Sequence, residues 1–291
     1  MSTDTPAAAG GTFTLGDLTV RRMGFGAMRI TGRGIWGPPH DPDVAVRVLQ
    51  RAVELGVDFI DTADSYGPFV SEELIAEALH PYNPGLIIAT KGGLLRTGPN
   101  KWPTLGKPDY LRQAVQMSMR RLRMNRIPLY QLHRIDPEED RTAQFEALRD
   151  FVAEGWVKHV GLSEVNVEEI EAARAVLPIV SVQNQYNLGD RKHEDALDYC
   201  EKEGLAFIPW FPLDAGKLAV EGGPVDEAAK QLEATHAQVA LAWLLKRSPC
   251  ILLIPGTSSV EHLEENVAAA ALELSDDLFE RLDAEGKKQE G

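Results

Sequence analysis

The strongest constraint on the fold is a hand-over, repeated along most of the chain, from a segment with helical apolar spacing to a short segment suited to a strand. Residues 41–56 begin it: Ala45, Val48, Leu49, Ala52 and Val53 fall at the i, i+3, i+4, i+7 and i+8 positions of one apolar face. Asp41 suits the N-cap, Pro42 the first helical position, and Gly56 the position after the last turn. Val57, Asp58, Phe59, Ile60 and Asp61 then read as a strand that delivers Asp61 to a loop. The same pattern predicts helices over 71–79, 109–124 and 142–154, each followed by a strand, at 86–90, 129–132 and 157–161. Further strands are expected at 179–182, 206–210 and 251–254, with helices over 190–203, 236–247 and 275–285. Adding residues 23–27 before the first helix gives eight strands. Alternation of this kind builds a parallel sheet with helices outside it, and eight repeats in 291 residues favour a closed (β/α)8 barrel, the TIM barrel, over an open doubly wound sheet.

Ahead of the first strand, residues 12–15 and 18–20 flank Gly16 and Asp17, a two-residue turn that predicts a hairpin plugging the bottom of the barrel. Residues 1–11, rich in Ala, Gly, Ser and Thr, are expected to be a flexible tail. No Pro, Gly or Ser linker and no shift in charge pattern divides 12–291, which is therefore expected to be one catalytic domain. The run Gly32, Arg33, Gly34, Ile35, Trp36, Gly37 satisfies GxGxxG. A dinucleotide fingerprint turns straight from a strand into a helix, however, and here Pro38, Pro39 and His40 intervene, so a mobile loop over the barrel mouth is the better reading.

A net charge of −14, with no dense Lys/Arg run, argues against nucleic-acid and anionic-membrane partners. Cys200 and Cys250 have no metal-ligand spacing and read as buried, reduced thiols. The N-terminus lacks a basic region followed by an apolar one, and no apolar run reaches the roughly 18 to 20 residues of a membrane helix. A cytoplasmic location and a monomer or weak homo-oligomer are the expectations.

In such a barrel the active site forms at the C-terminal ends of the strands. The polar residues there are Asp61 and Tyr66, Lys91, His133, Ser163 and Glu164, Gln183, and Trp210, with Gly256, Thr257 and Ser258 after the last strand. Four of them make one chemistry. Hydride delivery to a carbonyl leaves a developing alkoxide that needs a proton. Tyr66 can supply it, Lys91 can stabilise the phenolate and lower its pKa, Asp61 can pair with the lysine, and His133 can orient the carbonyl oxygen.

The run Asp61, Thr62, Ala63, Asp64, Ser65, Tyr66, Gly67, followed by Ser71 and Glu72, resembles the aldo-keto reductase signature. Lys91 in Ala89, Thr90, Lys91 and His133 in Gln131, Leu132, His133, Arg134 match that family's lysine and histidine. The resemblance implies a catalytic tetrad of Asp61, Tyr66, Lys91 and His133. It also implies an NADPH/NADP+ cofactor, with NADH as the lesser option, and a small-molecule carbonyl substrate. On the cofactor side it implies that Ser163 and Gln183 bind the nicotinamide carboxamide and that Trp210 stacks on the ring. Gly26, Pro212 and Leu213 would join that wall, and Gly256, Thr257, Ser258, His262, Glu265 and Asn266 would line the adenosine-phosphate end. This chain departs from the pattern at Glu164, where an asparagine is usual, at the Gly256 and Thr257 pair, and at His262, where an arginine often meets the 2′-phosphate.

The loops from 28 to 39 and from 254 to 259 resemble the bacterial branch that includes pyridoxal reductases, which implies pyridoxal or pyridoxine as substrate. Trp36 and Trp102 are then candidates for stacking on a pyridine ring, and Arg29 or Lys101 for meeting its phenolate oxygen. Two other function classes remain in view. A metal-dependent hydrolase would need a cluster of convergent ligands, and no HxH or comparable cluster is present. A non-catalytic, cofactor-binding redox sensor would not need the complete tetrad.

Overall fold

A computed structural model describes residues 5–213 and 220–288. A hairpin of β1 (Thr12–Leu15) and β2 (Leu18–Arg21) comes first. Among the described residues, seven parallel strands follow in sequence order: β3 (Phe25–Gly26), β4 (Phe59–Asp61), β5 (Ile87–Gly92), β6 (Ile127–Leu132), β7 (Val157–Ser163), β8 (Ile179–Gln183) and β9 (Ala206–Phe207). The eighth expected strand is present as pairing on both sides rather than as a continuous ladder. Leu252 N–H donates to Phe207 O at 2.9 Å and Leu253 N–H to Arg22 O at 2.8 Å, with parallel bridges Phe207 to Ile251 and Met23 to Leu253. The sheet thereby closes into a barrel.

The first strand is shorter than expected, Phe25–Gly26 against 23–27, although Met23 still bridges Leu253, and neighbouring backbones crowd it. A Cβ on Gly24 would lie 2.8 Å from Leu253 O, and one on Gly26 2.5 Å from Ile254 O, so glycine is required where strands one and eight approach.

The helices are α1 (Pro42–Glu54), α2 (Val70–Leu79), α3 (Pro108–Arg121), α4 (Arg141–Ala153), α5 (Val167–Arg174), α6 (Glu194–Glu203), α7 (Pro224–Leu232), α8 (His236–Arg247), α9 (Val260–Ala268) and α10 (Asp276–Lys287). Helix α1 starts as its sequence dictates, with the Asp41 side chain accepting from Val44 N–H and Pro42 at N1. Helix α6 begins later than expected: the Asn187 carboxamide accepts from the Gly189 and Asp190 N–H groups and holds that stretch in a turn. Helices α5 and α7 were not anticipated, although α5 carries a capping box between Asn166 and Glu169 that is readable in the sequence.

One core fills the space between helices and barrel, and a second fills the barrel itself. Leu15 and Val20 of the hairpin join Phe59, Ile87, Ala89, Leu129, Ala206, Ile208, Leu252 and Ile254 in the inner one, so the hairpin plugs the N-terminal end. Each such buried Leu, Ile, Val or Phe side chain contributes about 1.5–3 kcal/mol. The segment expected to be a flexible tail departs from that expectation at residues Pro6–Gly10, a 3-10 turn in which Ala7 is fully buried and donates to Leu55 O at 3.1 Å. Its small side chains let the backbone pack closely against Ala269–Ala271 and α9. Cys200 and Cys250 are both buried as free thiols. No helix of the described residues is long and apolar enough to cross a membrane.

Candidate active site

Strand pleating decides which polar residues meet. Successive side chains alternate across a strand, so positions two apart share a face. Phe59 lies in the inner core, and Asp61 follows on the same face; Ile87 and Ala89 lead to Lys91, Leu129 to Gln131 and His133. The inner faces of β7 and β8 end likewise in Ser163 and Gln183. Apolar residues fill the lower barrel and polar ones its C-terminal mouth.

At that mouth the Lys91 ammonium, fully buried, donates to Asp61 Oδ1 at 2.5 Å, to Thr62 O at 2.9 Å and to Tyr66 Oη at 3.2 Å. A lysine ammonium has three hydrogens and no acceptor, so all are engaged and Tyr66 Oη is the acceptor. The phenolic proton is left to point elsewhere, and among the described residues it has no acceptor. Asp61 Oδ2 takes Gln131 Nε2 and Gln183 Nε2, each at 2.9 Å. Burial opposes the Lys91 charge, but Asp61 and Tyr66 outweigh it and hold the pKa above its ordinary value. For Tyr66 burial is the larger influence, raising the phenol above 10 despite the pull of Lys91. The lowered tyrosine pKa expected from the sequence is thus reversed: the ammonium moderates a rise.

His133 lies edge-on to Tyr66, ring centroids 5.9 Å apart, with Nδ1 3.3 Å from Ser65 Oγ. Burial, then the charges of Lys91 and Arg134, depress its pKa well below 6.5, so the imidazole is neutral at neutral pH. These groups open onto a cavity of about 800 Å³. Its wall includes Gly26, Asp61, Tyr66, Trp102, His133, Ser163, Gln183, Trp210, Pro212, Leu213 and Gly256.

Other expected residues lie elsewhere. Lys91 sits behind Asp61 and Tyr66, at 0% exposure. Trp36 is outside the cavity wall: its backbone bridges Gly67, and its indole lies 37% exposed with the Arg96 guanidinium 5.6 Å from the ring centroid. Lys101 is exposed and also off the wall, whereas Arg29 is on it. Thr257, Ser258, His262, Glu265 and Asn266 do not line the cavity either. They follow Gly256 along the loop into α9, where the Ser259 hydroxyl caps the helix by accepting from His262 N–H. Ser258, His262 and Glu265 are exposed there, and Thr257 and Asn266 are buried.

Glu164 turns away from the cavity. It adopts a left-handed φ of 56°, and Oε1 accepts from Gln185 N–H at 2.6 Å and from Trp210 Nε1 at 2.7 Å. Burial would raise its pKa, but nearby His193 and these two donors outweigh that and hold it at about 2. The departure from asparagine therefore places a carboxylate behind the Trp210 indole, fixing the ring's edge.

Sequence reasoning missed Gln131 and Arg134. Gln131 is signalled by its position two residues before His133 on one strand. Arg96 holds the mouth loops together: its guanidinium donates to Ile35 O at 2.6 Å, Ser65 O at 2.9 Å and Gly34 O at 3.0 Å, and lies 3.6 Å from the Trp102 ring centroid. The GxGxxG segment is thus fastened to the loop that carries Tyr66.

A closed (β/α)8 barrel with a buried Asp–Lys–Tyr group and a neutral histidine at its mouth has the architecture of a carbonyl oxidoreductase. The profile of the Aldo/keto reductase family matches residues 22–286, and the chain belongs to that family. It is an NAD(P)H-dependent oxidoreductase acting on the carbonyl and alcohol couple. An uncharacterised oxidoreductase of Schizosaccharomyces pombe is 55% identical over 284 residues, covering 98% of this chain and 92% of that one. The pyridoxine 4-dehydrogenase of Escherichia coli is 42% identical, covering 94% and 97%. An aldo-keto reductase of Klebsiella pneumoniae, solved in complex with NADPH, superposes with a TM-score of 0.79 at 25% identity, over 94% of each chain.

Proposed function

We propose that the chain reduces small aldehydes and ketones with NADPH, with Tyr66 as the proton donor. The observation that carries this reading is the saturation of the Lys91 ammonium, which makes Tyr66 Oη an acceptor and leaves its own hydrogen for a bound molecule. Burial keeps that hydrogen in place at neutral pH, and the ammonium beside it stabilises the phenolate as the proton leaves. We assign Ser65 Oγ–H as the donor in its 3.3 Å contact with His133 Nδ1, which puts the proton of the neutral ring on Nε2, where it can donate a second hydrogen bond to the carbonyl oxygen. The developing charge then meets two donors in a buried site.

The wall suits a nicotinamide. Asp61 can only accept, so Gln183 Nε2 must face it, and Gln183 Oε1 is left for an amide N–H. Trp210, fixed by Glu164, offers a flat face. The cofactor supplies the hydride. NADPH is expected to bind at least about tenfold more tightly than NADH, the effect of one charge-assisted hydrogen bond to the extra phosphate from His262 or the α9 opening. Fluorescence titration with both nucleotides checks this, and equal dissociation constants would refute it.

Pyridoxal is the substrate favoured by the 42% identity to a pyridoxine 4-dehydrogenase, with Trp102 rather than Trp36 as the aromatic wall beside Tyr66, ring centroids 6.4 Å apart. The expected result is a kcat/KM for pyridoxal above those for 4-nitrobenzaldehyde and methylglyoxal. A pyridoxal value no better than theirs removes the vitamin assignment and leaves the reductase one.

A further inference from the structure

Arg134 is a partly buried cation on the cavity wall, next in sequence to His133. Its Nη1 donates to His133 O at 2.6 Å and to Ser163 Oγ at 3.0 Å, which uses both hydrogens of that nitrogen and fixes the guanidinium plane. Among the described residues, Nε and Nη2 have no acceptor; the Glu164 carboxylate acts on the group electrostatically but from beyond ion-pair distance, with its Oε1 taken by Gln185 N–H and Trp210 Nε1. Asp61 is the one carboxylate on the wall among the described residues, and Lys91 matches it. Although the chain carries a net charge of −14, its cavity lining therefore presents Arg134 and Arg29 with no free carboxylate beside them among the described residues. A fixed, partly desolvated guanidinium fork whose Nε and Nη2 have no acceptor among the described residues is built to receive an oxygen acceptor.

Arg134 follows His133 directly and is bonded to the His133 carbonyl and the Ser163 hydroxyl, and all three residues line the same cavity as Tyr66, so its ligand lies close to the reacting carbonyl. The carbonyl oxygen itself goes to Tyr66 and His133. The oxygen that meets Arg134 is then a second one in the same molecule.

We infer that Arg134 selects aldehydes carrying a hydroxyl or oxyanion on the carbon adjacent to the one that bears the carbonyl, ortho-hydroxy aromatic aldehydes foremost. This rests on the reductase reading above and narrows it to a substrate class. Pyridoxal belongs to that class, and Arg134 takes the place of Arg29, which is on the wall but exposed, and of Lys101, which is exposed and off the wall, as the partner of its phenolic oxygen.

The test compares kcat/KM for 2-hydroxybenzaldehyde and 4-hydroxybenzaldehyde at saturating NADPH in wild type, Arg134→Gln and Arg134→Lys, with benzaldehyde as reference. The two hydroxy isomers are electronically similar and differ in where the oxygen lies. Wild type is expected to favour the ortho isomer about tenfold or more, the effect of one charge-assisted hydrogen bond. That ratio should fall towards one in Arg134→Gln and be partly kept in Arg134→Lys, which retains charge but not the fork. The ratio cancels any general loss of activity, and the lysine variant decides if the glutamine one does not fold. An unchanged ratio in the variants overturns the inference, as does a loss of NADPH affinity with the ratio intact, which would assign Arg134 to the cofactor. Wild-type turnover of benzaldehyde without an ortho preference overturns this inference alone. Turnover of none of the aldehydes overturns the reductase reading, and this one with it.

Discussion

Tyr66→Phe is expected to lower kcat for aldehyde reduction by about 10² to 10⁴-fold, the usual contribution of a positioned acid, while NADPH affinity changes little. The substitution removes one oxygen. Its ring keeps the edge contacts with Trp102 and His133, and Lys91 keeps Asp61 Oδ1 and Thr62 O. The remaining rate would come from His133 as the sole donor to the developing alkoxide. Steady-state rates with an aldehyde panel, paired with fluorescence titration of NADPH, separate the two effects; full activity in the variant would remove Tyr66 from the mechanism. In wild type the same proton assignment predicts a flat profile of kcat/KM for reduction between about pH 7 and 9. Burial holds the Tyr66 phenol above its ordinary value, so it stays protonated through that window, and His133 lies below its own, so it stays neutral.

The convergence of Asp61, Tyr66, Lys91 and His133 was legible because barrel geometry brings the ends of successive strands together. Asp61, Lys91 and His133 each end a strand, and closing the strands in sequence order brings them together. Pleating extends the rule to Gln131, which a count of two back from His133 would have found. Helix α1 was equally legible, since a cap, a first-turn proline and an apolar face agreed. The limits of the strands were less so. Strand β3 covers Phe25–Gly26, and the need for glycine at position 24, where the backbone oxygens of Phe59 and Leu253 leave no room for a Cβ, is set by distant residues.

Side-chain direction at the rim was the least legible part. Trp36 and Trp102 look alike in sequence, but Arg96 stacks on Trp102 at 3.6 Å and reaches the carbonyls of Gly34, Ile35 and Ser65, leaving Trp36 on the outer side. Glu164 likewise depends on a left-handed backbone and an indole forty-six positions away. Loops set these outcomes through contacts that have no period to read.

Lys91→Met should be the most damaging single change in the protein, because it removes the hydrogen-bond donor to three groups at once. Asp61 Oδ1, Thr62 O and Tyr66 Oη all lose their partner, and Asp61 is left as a buried carboxylate supported by Gln131 and Gln183 alone. Breaking a buried ion pair from one side costs about 3–5 kcal/mol, because the surviving charge remains desolvated. Turnover should fall at least as far as in Tyr66→Phe, since the phenolate loses its stabilising charge and the hydroxyl is free to turn towards Asp61. A companion variant separates charge from shape. Adding Asp61→Asn to Lys91→Met removes the stranded carboxylate, and an amide that can both donate and accept replaces it. Chemical denaturation is expected to show the single variant losing stability by the amount above and the double variant recovering much of it, while both stay inactive. Recovery of activity in the double variant would show that the ammonium is not needed beside Tyr66. A stability loss that persists unchanged would assign the cost to the missing lysine's packing instead of to an uncompensated charge.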